Sequence, residues 1–484
     1  MRLHTVLLTG IAAVSLAACS NEPPRTGLAA VSDAMGATNL NSLQYSASGS
    51  NFGFGQAYMP GEKWPRFEQR SYDVSINYGT SGMKIDAVRS QGEHPPHGGA
   101  AQPVAGDQRT VLVVGGKFAW NEAGNQASPA PDAAADRGVA LWATPHGVIK
   151  AAMANNGTLQ GNAITFNVDG REVKATLNAA NQVEKVSYLR SNDVVGDLPV
   201  EITYSDYADY GGVKFPRHIV QSEDGFPTLD VMVESVRPNA EVAIAAPANV
   251  QQAPPSPELP AVTSDRIAPG VWYMHADGVH SWAVEFNNFI VVVEGIGRDA
   301  RSVAVNEEIR KLIPNKPIRS VVNTHAHYDH AGGLRTYPAQ GITVITDERN
   351  KAFYEETWKR PHTLQPDTLA KNPKEPVFDT INADKKVITD GRQTLEIYRK
   401  KNAGHNGADL LVFLPREGIV FWGDGYNPPN GDVIMDPQRT PEYGIDLVRN
   451  IQELKLNVRT IAPAHGAGAR PYANLVKAVG MMTP

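Results

Sequence analysis

The chain has 484 residues, 42% hydrophobic, 20% charged and 7% aromatic, enough to bury more than one ordinary core and unlike either a disordered or a fibrous composition. Lys plus Arg number 45 against 51 Asp plus Glu, a net charge of −6 with no basic face that would neutralise a phosphate backbone, so nucleic acid is not an expected partner. The single cysteine, Cys19, rules out an internal disulfide and a thiolate zinc cage.

Arg2 is followed by the apolar run Val6 to Leu16 and then by Leu16-Ala17-Ala18-Cys19, which reads as a short secretory signal. A spanning helix needs about 20 apolar residues, and no stretch supplies them. The Leu-Ala-Ala-Cys ending resembles a bacterial lipobox. That resemblance implies a signal peptide over 1–18, lipidation of Cys19 and, with Ser20 next, anchorage to the outer membrane facing the periplasm. Residues 19–41, rich in Asn, Pro, Ala and Ser, are expected to be a tether.

From 42 to 244 the apolar residues mostly alternate, as in Tyr72, Val74, Ile76 and Tyr78, or Val200, Ile202 and Tyr204, which means strands with one buried face. A helical stretch from about Ala135 to Asn155 interrupts them. The expectation is a mainly antiparallel β domain with one helix, and it resembles the lipoprotein-carrier type of periplasmic domain. His94 and His97 lie in a loop over 92–107; two histidines without a third ligand nearby are read as part of an exposed loop. Residues 245–266 are rich in Pro and Ala and are expected to link two domains. Beyond them, over 267–484, strands alternate with helices, so the second domain is expected to be α/β, with Asp299 to Ile313 as an amphipathic helix.

The strand Ile318 to Asn323 runs directly into Thr324-His325-Ala326-His327-Tyr328-Asp329-His330-Ala331-Gly332-Gly333. Three histidines and an aspartate within six residues, just past a strand end, put four metal-capable side chains on one loop. Further along stand His405 in Ala403-Gly404-His405-Asn406-Gly407-Ala408-Asp409, Asp424 at the end of Gly418 to Asp424, and His465 in Ile461-Ala-Pro-Ala-His465-Gly466. Oxygen and imidazole ligands suit zinc, and by ligand type leave iron and manganese open.

This order of ligands resembles the signature of the metallo-β-lactamase superfamily of hydrolases. The resemblance covers Ile267 to the C-terminus and implies an αββα sandwich with two divalent ions at one edge. It assigns His325, His327 and His405 to one ion, Asp329, His330 and His465 to the other, and Asp424 between them. A bridging hydroxide would then be the nucleophile, with Asp329 and Asp424 as the candidate catalytic residues and Asp329 a candidate proton shuttle. Dedicated β-lactamases of the family generally carry Cys or Ser where this chain has Asp424, which favours an ester, lactone or related acyl bond in a small molecule.

A β-lactam, phosphodiester or sulfate ester is the alternative, and an envelope lipid-binding module with an auxiliary metal domain is another. Tyr328, Trp422 and Tyr426 flank ligands and are candidates to line an apolar pocket. His275 and His280 lie in the first strands of the domain, on the side from which the site can be approached, and are not expected to have a role in it. Arg335, Arg349, Lys351, Lys359 and Arg360 are read as a solvated face, and Tyr354 to Pro376 as an irregular insertion, either lid or surface loop. Oligomeric state is left open.

Overall fold

The computed structural model describes residues 26–481 apart from 402, 432–433 and 436–438. The expected signal peptide and Cys19 lie outside the described residues.

Alternating apolar residues build one antiparallel sheet of thirteen strands between Ser42 and Pro238. Its order follows from the chain path. Ser42–Phe52 lies beside the central strand, and the following hairpins step outward to Gln126–Pro129 at one edge. The helices Ala134–Trp142 and Pro145–Ala154 then carry the chain to the opposite edge. From there it returns strand by strand until Phe226–Pro238 pairs with Ser42–Phe52. The single helix expected over 135–155 is broken at Ala143 and Thr144, because Pro145 has no N–H to continue the ladder and instead starts a new helix at its first position.

Part of the expected tether is structured instead. Gly27–Met35 is a helix that buries Val31 and Met35 against Val148, Phe215 and Val231 of the sheet core. Its Met35 carbonyl accepts a 3.1 Å hydrogen bond from Nε2 of the fully buried His146. Val31 and Met35 are four apart and so share the face turned to the sheet, a pattern too short to stand out in a polar stretch. Within 245–266 the chain also makes more structure than a linker. Ala248–Gln251 is a helical turn with Val250 buried beside Val111, Val113 and Trp120, and the sheet of the second domain begins at Thr263.

The second domain has four layers. A seven-stranded sheet from Thr263–Ala268 to Phe378–Ile381 starts antiparallel and turns parallel from Ile290–Val293 onward. A six-stranded sheet runs from Lys385–Thr389 to Arg470–Pro471. Their facing sides share one core, in which Trp282, Val291 and Val322 meet Leu410, Phe421 and Ala462. Asp299–Leu312 covers the outside of the first sheet; Glu442–Glu453 and Tyr472–Ala478 cover the second. Strands buried on both faces read as continuous apolar runs, Ile290-Val-Val-Val293 and Leu410-Leu-Val-Phe-Leu414 being the clearest.

Candidate metal centre

The candidate ligands gather where strands of the two sheets end. His325, His327, Asp329 and His330 follow Ile318–Val322, Asp424 follows Ile419–Trp422 and His465 follows Thr460–Pro463, while His405 precedes Leu410–Leu414. Asn323 braces the first loop from beneath: its amide donates to the carbonyls of His325 at 2.8 Å and His330 at 3.3 Å, and its oxygen accepts from Tyr354 Oη at 2.6 Å. Gly332 is required by close approach and not by a turn, since a Cβ there would stand 2.1 Å from the Gly297 carbonyl oxygen.

Two groups of donors result. His325, His327, His405 and Asp424 form one, and Asp329, His330, Asp424 and His465 the other, each with ligand atoms within 4.8 Å of one another. In the first, His325 Nε2 lies 3.0 Å from His327 Nδ1 and 3.2 Å from His405 Nε2. In the second, His465 Nε2 lies 3.1 Å from His330 Nε2 and 3.2 Å from Asp329 Oδ2. Asp424 belongs to both: Oδ2 is 2.9 Å from His405 Nε2 and 3.1 Å from His330 Nε2, and Oδ1 is 3.0 Å from His465 Nε2. A tetrahedral ion with bonds near 2.0–2.1 Å separates its ligand atoms by about 3.3 Å, so the donor spacing fits such an ion in each group.

The far sides of the rings fix which nitrogen faces inward. Ala57, from the first domain, accepts a 2.9 Å hydrogen bond from His327 Nε2 and leaves Nδ1 as donor. Glu294 accepts from His330 Nδ1 at 2.7 Å and from the Thr324 amide at 2.6 Å, and leaves His330 Nε2 as donor. Glu294 is fully buried and holds a left-handed backbone at φ 76°, a strained conformation for a residue with a Cβ.

Electrostatics separate the two groups. Burial, with His330 and His327 adding to it, holds His325 well below the usual imidazole range. Burial and the neighbouring His405 push His327 down to about 3. Around His330 burial acts in the same direction, but Asp424, Asp329 and Glu294 outweigh it and raise the ring well above its usual value. His465 is likewise raised to about 9, with burial opposed by Asp424 and Asp329. Burial favours protonation of Asp329 and Asp424, yet His330 and its neighbours hold both well below the carboxylate range.

The first domain closes over this edge. Tyr328 N donates to Gly55 O at 3.1 Å, Gln56 Nε2 to Asp329 Oδ1 at 2.7 Å and Gly407 N to Tyr58 O at 3.0 Å. The loop 92–107, expected to be exposed, docks here too: Gly98 N donates to Gly404 O and Tyr443 Oη to Gly98 O. Gly99 lies so near that a Cβ would stand 2.7 Å from the His327 ring. His94 and His97 stay exposed, and His97 stacks on Tyr58 at 3.9 Å. A cavity of about 430 Å³ lies over the ligands, with Phe52, Phe54, Gln56 and Arg89 on one side and Asp329, Asp424, Arg439 and His465 on the other.

Other expected residues fall elsewhere. Trp422 is core: its indole donates to the buried Asp409 at 2.6 Å, and Lys400 Nζ sits 3.0 Å over its ring. Tyr426 borders a small cavity beside Asp424, while Tyr328 borders a separate one between the domains with Trp64, Phe226 and Phe353. His280 contacts no ligand side chain; its Nε2 donates to Gly466 O at 2.8 Å and its Nδ1 lies 2.9 Å from His275 Nδ1, so the pair props the turn that carries His465.

The solvated face is corrected at two positions. Arg335 is 2% exposed and forks onto Asp367, and Arg360 pairs with Asp224 of the first domain at 2.8 Å. Tyr354 to Pro376 is neither lid nor plain loop. Tyr354 is buried in the helix Glu348–Thr357, and Thr363 and Leu364 donate their amides to Asp197, which straps the segment to the first domain.

The model of the metallo-beta-lactamase superfamily matches residues 276–465. Similar solved structures include a metallo-beta-lactamase from Pontibacter korlensis, 21% identical over 46% of this chain and 98% of its own, with a TM-score of 0.34. The metallo-beta-lactamase FIM-1 from Pseudomonas aeruginosa in its mono-zinc form is 20% identical over 46% of this chain and 96% of its own, TM-score 0.35. A metallo-beta-lactamase from Hirschia baltica is 16% identical over 45% and 96%, TM-score 0.34. Comparison with curated proteins returns no match. The match to the metallo-beta-lactamase superfamily thus falls within the second domain, and together with its His and Asp clusters it supports a metal-dependent hydrolase.

Proposed function

We propose that the protein is a dinuclear zinc hydrolase that cleaves a carboxylic ester, lactone or related acyl bond of a small molecule in the cell envelope. The observation that carries the reading is Asp424, whose carboxylate faces both donor groups at 2.9–3.1 Å. Imidazole and carboxylate donors suit zinc. Two such ions supply Lewis acidity and a water of lowered pKa.

The chain's own residues hold, orient and enclose. His325 and His327 present neutral donors and, with His405, are almost fully buried, while the Asp329 and His465 side chains are more exposed. Asp329, with Oδ1 engaged by Gln56, turns Oδ2 toward His465 and His330 as a donor to the second group. Phe52 and Phe54 offer an apolar wall, and Arg439 and Asn427 offer polar groups for a substrate oxygen. An aspartate at 424 weighs against a dedicated β-lactam hydrolase. The lipobox reading of Cys19 supports an envelope address with a lipid anchor.

Proton release by zinc-loaded protein lacking its first 19 residues, measured against aryl esters, lactones, a thioester, a cephalosporin and a phosphodiester with His325→Ala as blank, tests this. Turnover confined to the acyl substrates is expected. Cleavage of the cephalosporin or phosphodiester alone, or silence across the panel, overturns it.

A further inference from the structure

The thirteen-stranded domain reaches the ligand loops through the loop 92–107 and, most directly, through one short segment. Gly55, Gln56, Ala57 and Tyr58, between Ser42–Phe52 and Arg66–Asn77, lie along the ligand loops, and each hydrogen-bonds to them: Tyr328 N donates to Gly55 O, Gln56 Nε2 donates to Asp329 Oδ1, His327 Nε2 and Asn406 Nδ2 donate to Ala57 O, and Gly407 N donates to Tyr58 O. Three of the four use backbone groups. Gln56 alone uses its side chain, and that side chain is held at both ends.

Its Oε1 accepts from the Ala100 amide at 2.8 Å, so the NH2 group must face Asp329, to which it donates at 2.7 Å. Ala100 belongs to the loop that also packs Gly99 against His327, so two loops of the first domain set the amide's position. The bond engages Asp329 Oδ1 and leaves Oδ2, which stands 3.2 Å from His465 Nε2 and 3.4 Å from His330 Nε2, as the oxygen available to an ion. Without it the Asp329 carboxylate, whose side chain is 39% exposed, can rotate away from the donor group.

We propose that Gln56 is a positioning residue for the second metal site, so that the thirteen-stranded domain completes the hydrolytic centre and tunes the affinity of one ion and not the other. The inference rests on the dinuclear reading above. Hydrogen-bonding partners that orient metal ligands are worth roughly 10–100-fold in metal affinity when removed. The effect falls on the site of Asp329, His330 and His465, because the Gln56 side chain touches no ligand of the other site.

The test is a zinc titration of the metal-free full chain against a chromophoric chelator, for wild type, Gln56→Met and Gln56→Asn. Methionine keeps the length and loses the donor; asparagine keeps an amide one methylene too short to bridge Ala100 and Asp329. The expected result is two ions per wild-type chain, with one constant loosened roughly 10–100-fold in both variants and the other unchanged. The thermal unfolding midpoint of the metal-free chains should not move, which a merely structural role for Gln56 would not allow. Two unchanged constants in both variants, or equal loosening of both, overturns the inference. A wild type that binds a single ion contradicts the dinuclear reading itself.

Discussion

The two halves of the metal centre share Asp424 but are built differently. One half, His325, His327 and His405, is sealed, with side chains at most 4% exposed, and its first two rings are held neutral far below the usual imidazole range. The other half is more open, with the His465 side chain 22% and the Asp329 side chain 39% exposed, and its two histidines are pushed up by the carboxylates around them. A buried neutral imidazole presents a lone pair to a cation directly. A raised imidazole must first release a proton, so protons compete with an ion at His330 and His465 more than at His325 and His327.

The largest expected break of this comparison comes from Asp424→Ala, which removes the carboxylate both halves share. Turnover should fall roughly a thousandfold, as expected for losing several kcal/mol of transition-state stabilisation, and bound metal should drop from two ions per chain to one or fewer. Retained turnover with two bound ions contradicts the shared role. Glu294→Gln acts on the open half alone, through His330 Nδ1, and should weaken that site by roughly 10–100-fold with the sealed site unaffected, as read by chelator competition. Equal weakening of both would mean that Glu294 acts through the Thr324 amide and the whole loop. The smallest effect belongs to Asp197→Ala, which unstraps Thr363 and Leu364 from the first domain. A stability loss of about 1–2 kcal/mol by denaturant titration, with both metal constants unchanged, would show that the strap holds the domains and not the ions.

The two halves of the molecule were unequally legible in the sequence. The ligands stood out because chemistry demands imidazole and carboxylate at strand ends, and the apolar runs before them announced buried parallel strands. Glu294 left a faint trace, a carboxylate closing Ile290-Val-Val-Val293 where a buried charge needs a partner. Gln56 left none. It acts through a contact 273 residues away in sequence, and a glutamine in a loop rich in Gly and Pro carries no periodicity to mark it. Ala57 acts through its carbonyl, which any residue would supply. The helix Gly27–Met35 was hidden by its shortness, since Leu28, Val31 and Met35 span only about two turns. Removing everything before Ala245 would therefore leave no minimal enzyme: the His327 Nε2 partner and the Asp329 brace would go with it.

The central claim, a hydrolytic centre of two unequal metal halves, is tested most directly by the zinc retained per chain after equilibration at graded pH. Asp424 and Asp329 push His465 up to about 9 and His330 is also raised, so below that value protons compete for the open half and its apparent affinity falls as pH drops. The sealed half meets no such competition from His327 until the pH nears about 3. The account predicts two ions per chain at alkaline pH and a two-step loss on acidification, the ion of Asp329, His330 and His465 leaving first. Loss of both ions in one step, or a chain that never holds more than one, would contradict it.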